Sequence, residues 1–153
     1  MNARTIALGL GLLALALISG ALGFQYLAHF PPCEMCHWQR WPLIGAAIVG
    51  IPGAFALKGD ARLLAGATIV LVAISGAIGF YQAGVEWHFF PGPAACTGAF
   101  HPFTGMGDLN APGEVRCDAA AWRLFGISLA GYNAILSLGA AIFGSTMLVK
   151  RAP

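Results

Sequence analysis

The chain has 153 residues, of which 58% are hydrophobic and only 9% charged, and its mean hydropathy is +0.75. A soluble domain carries about 25% charged residues, so too few polar side chains exist to coat a water-solvated helical bundle. The formal net charge of +2, with no basic run, leaves no footprint for a nucleic-acid partner.

A helix needs ~20 apolar residues to cross the hydrocarbon of a bilayer. Four stretches come near that length, at about 5–27, 41–57, 63–82 and 124–149. Together they predict an all-α membrane protein, a bundle of four transmembrane helices forming one domain over 1–153. The first stretch follows Arg4 and contains an Ala14-Leu15-Ala16 triplet, as a signal peptide would. The apolar run continues to Leu27, past the ~7–15 residues of a signal core, which marks a retained helix. The second stretch is short and holds Pro52. Pairs of small residues four apart occur in each span: Ser19/Gly23, Ala46/Gly50, Ser75/Gly79 and Gly126/Ala130. Such pairs let helices approach closely in lipid. Tyr132 and Asn133 place polar groups inside the fourth span, where an interhelical hydrogen bond is the simplest use for them. The chain shows no repeat, no Gly-rich phosphate loop and no Ser-His-Asp set.

Orientation follows from Lys and Arg near the helix ends. Arg4, Lys58, Arg62, Lys150 and Arg151 fall on one side, against Arg40, Arg116 and Arg123 on the other. The second side also holds Glu34, Glu86, Asp108, Glu114 and Asp118, five of the six acids. The bias predicts both termini in the cytoplasm. The loops 28–40 and 83–121, which carry all four cysteines, then face outward. In a bacterium that is the periplasm, where disulfides persist.

The densest chemistry lies in Pro31-Pro32-Cys33-Glu34-Met35-Cys36-His37-Trp38-Gln39-Arg40. The prolines end the first helix or hold the chain extended. Two residues between cysteines is the spacing of redox-active pairs. If the second helix begins near Cys36, Arg40 shares its face, and both the cation and the positive helix end favour a Cys36 thiolate. Pro42 admits the other possibility, a helix that begins only there, with Arg40 snorkelling to headgroups. Cys33, Cys36 and His37 also spell C-x-x-C-H, the attachment pattern of c-type haem. That reading makes the chain a haem electron-transfer protein and leaves Cys96 and Cys117 a structural bridge only. Zinc on four cysteines fits poorly, because a structural zinc site uses two close-spaced pairs.

The loop 83–121 is rich in Pro and Gly, among them Pro91, Gly92, Pro93, Gly98, Pro102, Gly105, Gly107, Pro112 and Gly113. This composition predicts a long irregular segment. Cys96 and Cys117 there either form a static staple, as in a non-enzymatic protein, or an exchangeable disulfide open to a partner's attack. Trp87, Phe89, Phe90, Phe100 and Phe103 are expected to rest on the membrane interface. Glu86, His88 and His101 are candidate proton-handling groups.

These features resemble the DsbB-type quinone-dependent disulfide oxidoreductases. The resemblance rests on Phe24-Gln25, Pro32-Cys33-x-x-Cys36, Gln39-Arg40 and the second outer pair Cys96 and Cys117. Gly84-Val85-Glu86-Trp87 and Gly131-Tyr132-Asn133 add to it. It covers nearly the whole chain. It implies a bacterial inner-membrane enzyme that reoxidises a DsbA-like periplasmic thioredoxin-fold partner and passes electrons to ubiquinone or menaquinone. Cys96 would take the partner's attack, Cys117 would leave and reach Cys33, and Cys36 would face the quinone with Arg40 and Gln25. Three departures bear on redox poise and proton handling: Glu34 between the first cysteines, His37, and Gln82 where many relatives have histidine.

Overall fold

The computed structural model describes residues 2–55, 61–93, 96 and 116–150. Four helices account for most of them: α1 (Ala3–Tyr26), α2 (Glu34–Phe55), α3 (Ala61–Glu86) and α4 (Leu129–Val149). Among the described residues, α1, α3 and α4 are long and apolar enough to cross a membrane, and α2 is the fourth helix.

Small residues line much of the bundle interior, beside a core of Ile6, Leu10, Leu43, Ile69 and Val72. The small residues are Ala7, Gly11, Ala14, Ala46, Gly50, Ala65, Ser75, Gly76, Gly79, Ala134, Ser137, Ala141 and Gly144. Leu12, Leu15, Ile48, Val70, Ile74, Ile135, Ile142 and Phe143 face outward. Water would drive these large residues inside; lipid does not, and leaves small residues to seat the helices against one another. The contacts run antiparallel. A Cβ at Gly50 would stand 2.5 Å from the Ala7 carbonyl oxygen, and one at Gly76 2.8 Å from Leu138. Arg4 and Lys150 consequently sit at one end of the bundle, and the cysteines at the other.

Several boundaries differ from the sequence expectations. α2 starts at Glu34, not at 41, so Pro42 and Pro52 both lie inside it. Cys33 makes the early start possible: its Sγ accepts the backbone N–H of Cys36 at 3.2 Å, the work of a helix N-cap. α3 runs on to Glu86, four residues past the expected 82.

The fourth span begins at Leu129, not at 124, because a hairpin occupies the preceding residues. Strand β1 (Arg123–Leu124) pairs antiparallel with β2 (Ile127–Ser128). The two turn residues, Phe125 and Gly126, both have positive φ, 50° and 81°, which is the demand of a two-residue primed turn. Gly126 therefore serves a turn and not a helix interface, and the Gly126/Ala130 pair is not a packing motif. Gly23 likewise meets no neighbour, whereas Ala46/Gly50 and Ser75/Gly79 are in close contact. Tyr132 Oη donates to the Leu124 carbonyl at 3.1 Å and ties the hairpin to α4. Of the long second loop, 94–95 and 97–115 lie outside the described residues, with Phe100, His101, Phe103, Asp108 and Glu114 among them, as does the turn at Lys58–Asp60.

Gly50 gives the packing a direct check. Gly50→Val should destabilise the bundle by about 1–3 kcal/mol through overpacking against backbone. Gly9→Ala, with nothing within 4 Å of the new Cβ, should not. Unfolding midpoints in a denaturing-detergent titration compare the two.

Candidate functional site

The early start of α2 decides the site. It puts Cys36 and Arg40 one turn apart on one helical face. Both precede the apolar stretch that opens at Trp41. Cys33 and Cys117 are buried around Met35, which is fully enclosed, and Cys36 and Cys96 pack against them. All four cysteines thus form one cluster, although Cys96 and Cys117 are distant from the first pair in sequence. Cys96 and Cys117 are joined in a disulfide, and Cys33 and Cys36 are free thiols. The Cys117 amide donates to the Cys96 carbonyl at 2.9 Å. Arg116 and Asp118 form an ion pair on either side of Cys117. This exposed pair is worth little in stability.

The guanidinium of Arg40 is held from α1. One terminal nitrogen donates to Gln25 Oε1 at 2.6 Å and the other to the Ala21 carbonyl at 3.5 Å. Its Nε–H is buried with no acceptor among the described residues. An unmade hydrogen bond of this kind costs about 1–3 kcal/mol, so a ligand oxygen reaching it would be welcome.

Arg40 and Cys36 line a cavity of about 400 Å³, within the range of small-molecule sites. Its walls are mostly apolar, from Leu17, Ala21, Phe24, Pro32, Trp122 and Leu136. Gln39, Gln82, Glu86 and Asn133 add a polar side. His37 is exposed and is not among the lining residues, so the ligand required by the haem reading faces away from the cavity. Trp87, His88 and Phe89 are exposed, while Phe90 stacks on Tyr81 with ring centres 5.7 Å apart.

The two free thiols differ in acidity. Cys36 is pulled from the ordinary 9.0 down to about 6, first by a hydrogen bond from the Cys33 thiol. Burial opposes this; the Gln82 amide, the local backbone and the charge of Arg40 reinforce it. Cys33 is pushed up by the same bond to Cys36, by burial and by the neighbouring charge. The pair is therefore one proton-holding sulfur and one more nucleophilic sulfur; both line the cavity, and the nucleophile, Cys36, is the one a helical turn from Arg40.

Sequence reasoning named Cys33, Cys36, Cys96, Cys117, Arg40 and Gln25, and the structure brings the first five and Gln25 to one end of the bundle. It did not assign roles to Gln39 or Gln82. Gln82 Nε2 donates to Cys33 Sγ at 3.3 Å and to Cys36 Sγ at 3.6 Å. The available signal was an amide in each of three successive helices of a chain with few polar residues in its spans, and such groups inside a membrane are functional by default.

The sequence model of the family described as disulfide bond formation protein DsbB matches residues 3–147. A disulfide bond formation protein B from Polaromonas sp. (strain JS666 / ATCC BAA-500) is 27% identical, covering 99% of this chain and 94% of its own. One from Actinobacillus pleuropneumoniae serotype 5b (strain L20) is 31% identical over 82% of this chain and 74% of its own. One from Burkholderia thailandensis (strain ATCC 700388 / DSM 13276 / CCUG 48851 / CIP 106301 / E264) is 37% identical over 48% of this chain and 43% of its own. No solved structure matches the chain.

The thiol asymmetry has a measurable sign. Thiolate is the alkylating species, and a lowered pKa keeps it available to lower pH. Iodoacetamide should modify Cys36 of the reduced protein with a midpoint near pH 6 and a flat rate above about pH 7. Cys33 should stay unmodified across that range. Peptide-resolved mass spectrometry reads both; a Cys36 rate still climbing through pH 8 would mean an ordinary thiol.

Proposed function

Because the chain belongs to the DsbB family of disulfide bond formation proteins, we propose that it is a quinone-dependent disulfide oxidoreductase that reoxidises a DsbA-like periplasmic dithiol partner. One observation carries this reading. Four cysteines share a cluster, and the acidic one lines an apolar cavity beside a cation with an unused donor.

The exchange is a sequence of thiolate attacks, each breaking one S–S bond and forming another. A partner thiolate attacks Cys96 Sγ, and Cys117 leaves. The partner's second thiol then displaces Cys96, so the partner departs oxidised and Cys96 and Cys117 are left reduced. Cys117 next attacks Cys33 of an oxidised Cys33–Cys36 pair, and Cys36 leaves as thiolate. Cys96 closes onto Cys117, restoring that disulfide. The arrangement in this structure, with Cys96–Cys117 joined and Cys33 and Cys36 free, corresponds to this last state.

The cavity would suit a quinone, ubiquinone or menaquinone, by its apolar walls and by the Arg40 cation among its lining residues. When bound, the quinone accepts the two electrons with two protons. Cys36 would stand as the electron-donating sulfur, and Arg40, braced by Gln25, would hold a carbonyl oxygen. A guanidinium stabilises negative charge on that oxygen more than the neutral carbonyl, and only such a difference speeds the step. Cys33 keeps its proton and donates it in a hydrogen bond to Cys36, which protects the nucleophile until transfer.

All four helices would span the bacterial inner membrane, with the end bearing Arg4 and Lys150 in the cytoplasm and the cysteines in the periplasm. After reduction, a membrane-impermeant thiol reagent added to spheroplasts should then label Cys96 and Cys117. Labelling of a cysteine placed at Gly59 in their stead would reverse the orientation.

Quinone reduction by a reduced thioredoxin-fold donor tests the reaction. Arg40→Ala should slow it about 100-fold or more, on the scale of losing a transition-state donor. Arg40→Lys, which keeps the charge and loses the planar fork, should slow it less. Cys33→Ser or Cys36→Ser should abolish it. Mixed-disulfide trapping at Cys96 should survive the Arg40 changes. Turnover at the parent rate in either cysteine variant would sink the relay.

A further inference from the structure

Gln39, Gln82, Asn133 and Ser137 are connected by hydrogen bonds that all point the same way. Ser137 Oγ donates to Asn133 Oδ1 at 2.9 Å. Asn133 Nδ2 donates to Gln39 Oε1 at 2.7 Å, and Gln39 Nε2 donates to Gln82 Oε1 at 2.5 Å. Gln82 Nε2 then donates to both sulfurs of the first cysteine pair. Each amide N–H donates toward the cysteines; at the end of the line the Gln82 Oε1 also lies 3.9 Å from Cys36 Sγ, farther than Gln82 Nε2 is from either sulfur.

Backbone carbonyls, which have no hydrogen to give, fix the direction of the Asn133 and Gln39 amides, and the Gln39 N–H then fixes Gln82 Oε1 as its acceptor. The Asn133 amide nitrogen also donates to the Ser75 carbonyl at 3.3 Å, and that of Gln39 to the Met35 carbonyl at 3.4 Å. Gln82 Nε2 also donates to Glu86 Oε1 at 3.2 Å. Gln39 and Gln82 are 6% and 4% exposed, and Ser75 and Ser137 are fully buried. Gly79 makes room for the chain: a Cβ there would stand 3.1 Å from both Asn133 Nδ2 and Gln39 Oε1, and 2.9 Å from the Ala130 carbonyl.

We propose that Gln39, Gln82 and Asn133 are positioning residues, a head-to-tail line of amide dipoles whose positive end rests on Cys33 and Cys36 and holds Cys36 as the reactive thiolate. The proposal rests on the role given above to Cys36 as the electron-donating sulfur. Aligned hydrogen bonds polarise one another in a low-dielectric interior, so Gln82 should be a better donor with Asn133 and Gln39 behind it than alone. No member of the line from Ser137 to Gln82 titrates at neutral pH. The line therefore transmits polarisation and carries no proton. The charged groups near the pair include the exposed Glu34 between the two cysteines and Arg40 on α2, Glu86 on α3, Arg116 in the cavity lining, and Arg123, which donates to the Glu86 carbonyl. Of these, Glu86 alone shares the Gln82 amide, and it competes with the sulfurs for it.

The test uses the whole reduced protein in detergent, free of quinone, and reads the pH midpoint of Cys36 alkylation. Gln82→Leu should raise the midpoint, lowering the rate at pH 5 about tenfold, the scale of one hydrogen bond to a charged group. Asn133→Leu, which removes no contact with sulfur, should lower it about twofold, the scale of one cooperative link. Ser137→Ala should move it in the same direction by less. A reduction potential for Cys33–Cys36, from glutathione titration, should shift in the same order. Should either leucine variant fail to fold, Ser137→Ala carries the decision, since it deletes a single oxygen. A midpoint moved by Gln82→Leu but left at the parent value by Asn133→Leu and Ser137→Ala would overturn the proposal and reduce Gln82 to a local donor. Quinone takes no part in alkylation. A failed quinone assay with graded midpoints would therefore refute the quinone reading and keep the amide line, and the converse would refute only the line.

Discussion

Inside a bilayer a polar group finds its hydrogen-bond partner within the protein or finds none. In this chain that constraint shapes both the packing and the site. Ser19, Thr68, Ser145 and Thr146 return their hydroxyls to backbone carbonyls three or four residues earlier in their own helices. Longer polar side chains cannot do so. Gln39, Gln82 and Asn133 must meet across helices, and they can meet only because glycine and serine line the crossing. Gly79 and Ser75 on α3 are the clearest case: the glycine clears the space and the Ser75 hydroxyl donates to the Gln39 carbonyl at 2.9 Å. Tight packing and polar satisfaction are the same requirement here.

The spans were legible because their signal is gross. A run of apolar residues at about 5–27 became α1 at 3–26, and one at 63–82 became α3 at 61–86. The ends were not. Pro42 looks like a helix start, since proline at a first turn costs nothing, whereas inside a helix it removes a hydrogen bond. The Cys33 sulfur acts as the cap, and nothing in residue-type rules marks a cysteine for that task. The hairpin was hidden for a related reason. Arg123 to Ser128 is apolar enough to join the following run, and Phe125 gives no hint that it adopts a positive φ.

The candidate site was legible at its reactive atoms and illegible in its supports. Cys33, Cys36 and Arg40 stand out because their chemistry is rare in a membrane chain and their spacing is short. Convergence of Cys96 and Cys117 on them depends on a long loop, whose course no local pattern fixes. Gln39 and Asn133 are 94 residues apart in sequence and bond directly; only the bundle, which brings the N-terminal ends of α2 and α4 together against α3, makes them neighbours.

A division of labour follows from where the donors point. Arg40 is the cation beside Cys36, yet its terminal nitrogens are committed to Gln25 and Ala21 on α1, and its Nε–H is buried without an acceptor among the described residues. If Arg40 gave its best hydrogen bond to the Cys36 thiolate, it would stabilise that thiolate most strongly before transfer. Charge would then be costly to move off sulfur, because an interaction made in the ground state lowers no barrier. Neutral donors avoid that difficulty. The Cys33 thiol and the Gln82 amide lower the Cys36 pKa more than the charge of Arg40 does, so under the proposed reaction most of what the cation offers would be left for an acceptor in the cavity. A histidine at position 82 could itself become charged near neutral pH and would blur that separation. A glutamine cannot, so here the acidity of Cys36 rests first on neutral donors, with the charge of Arg40 a smaller contribution.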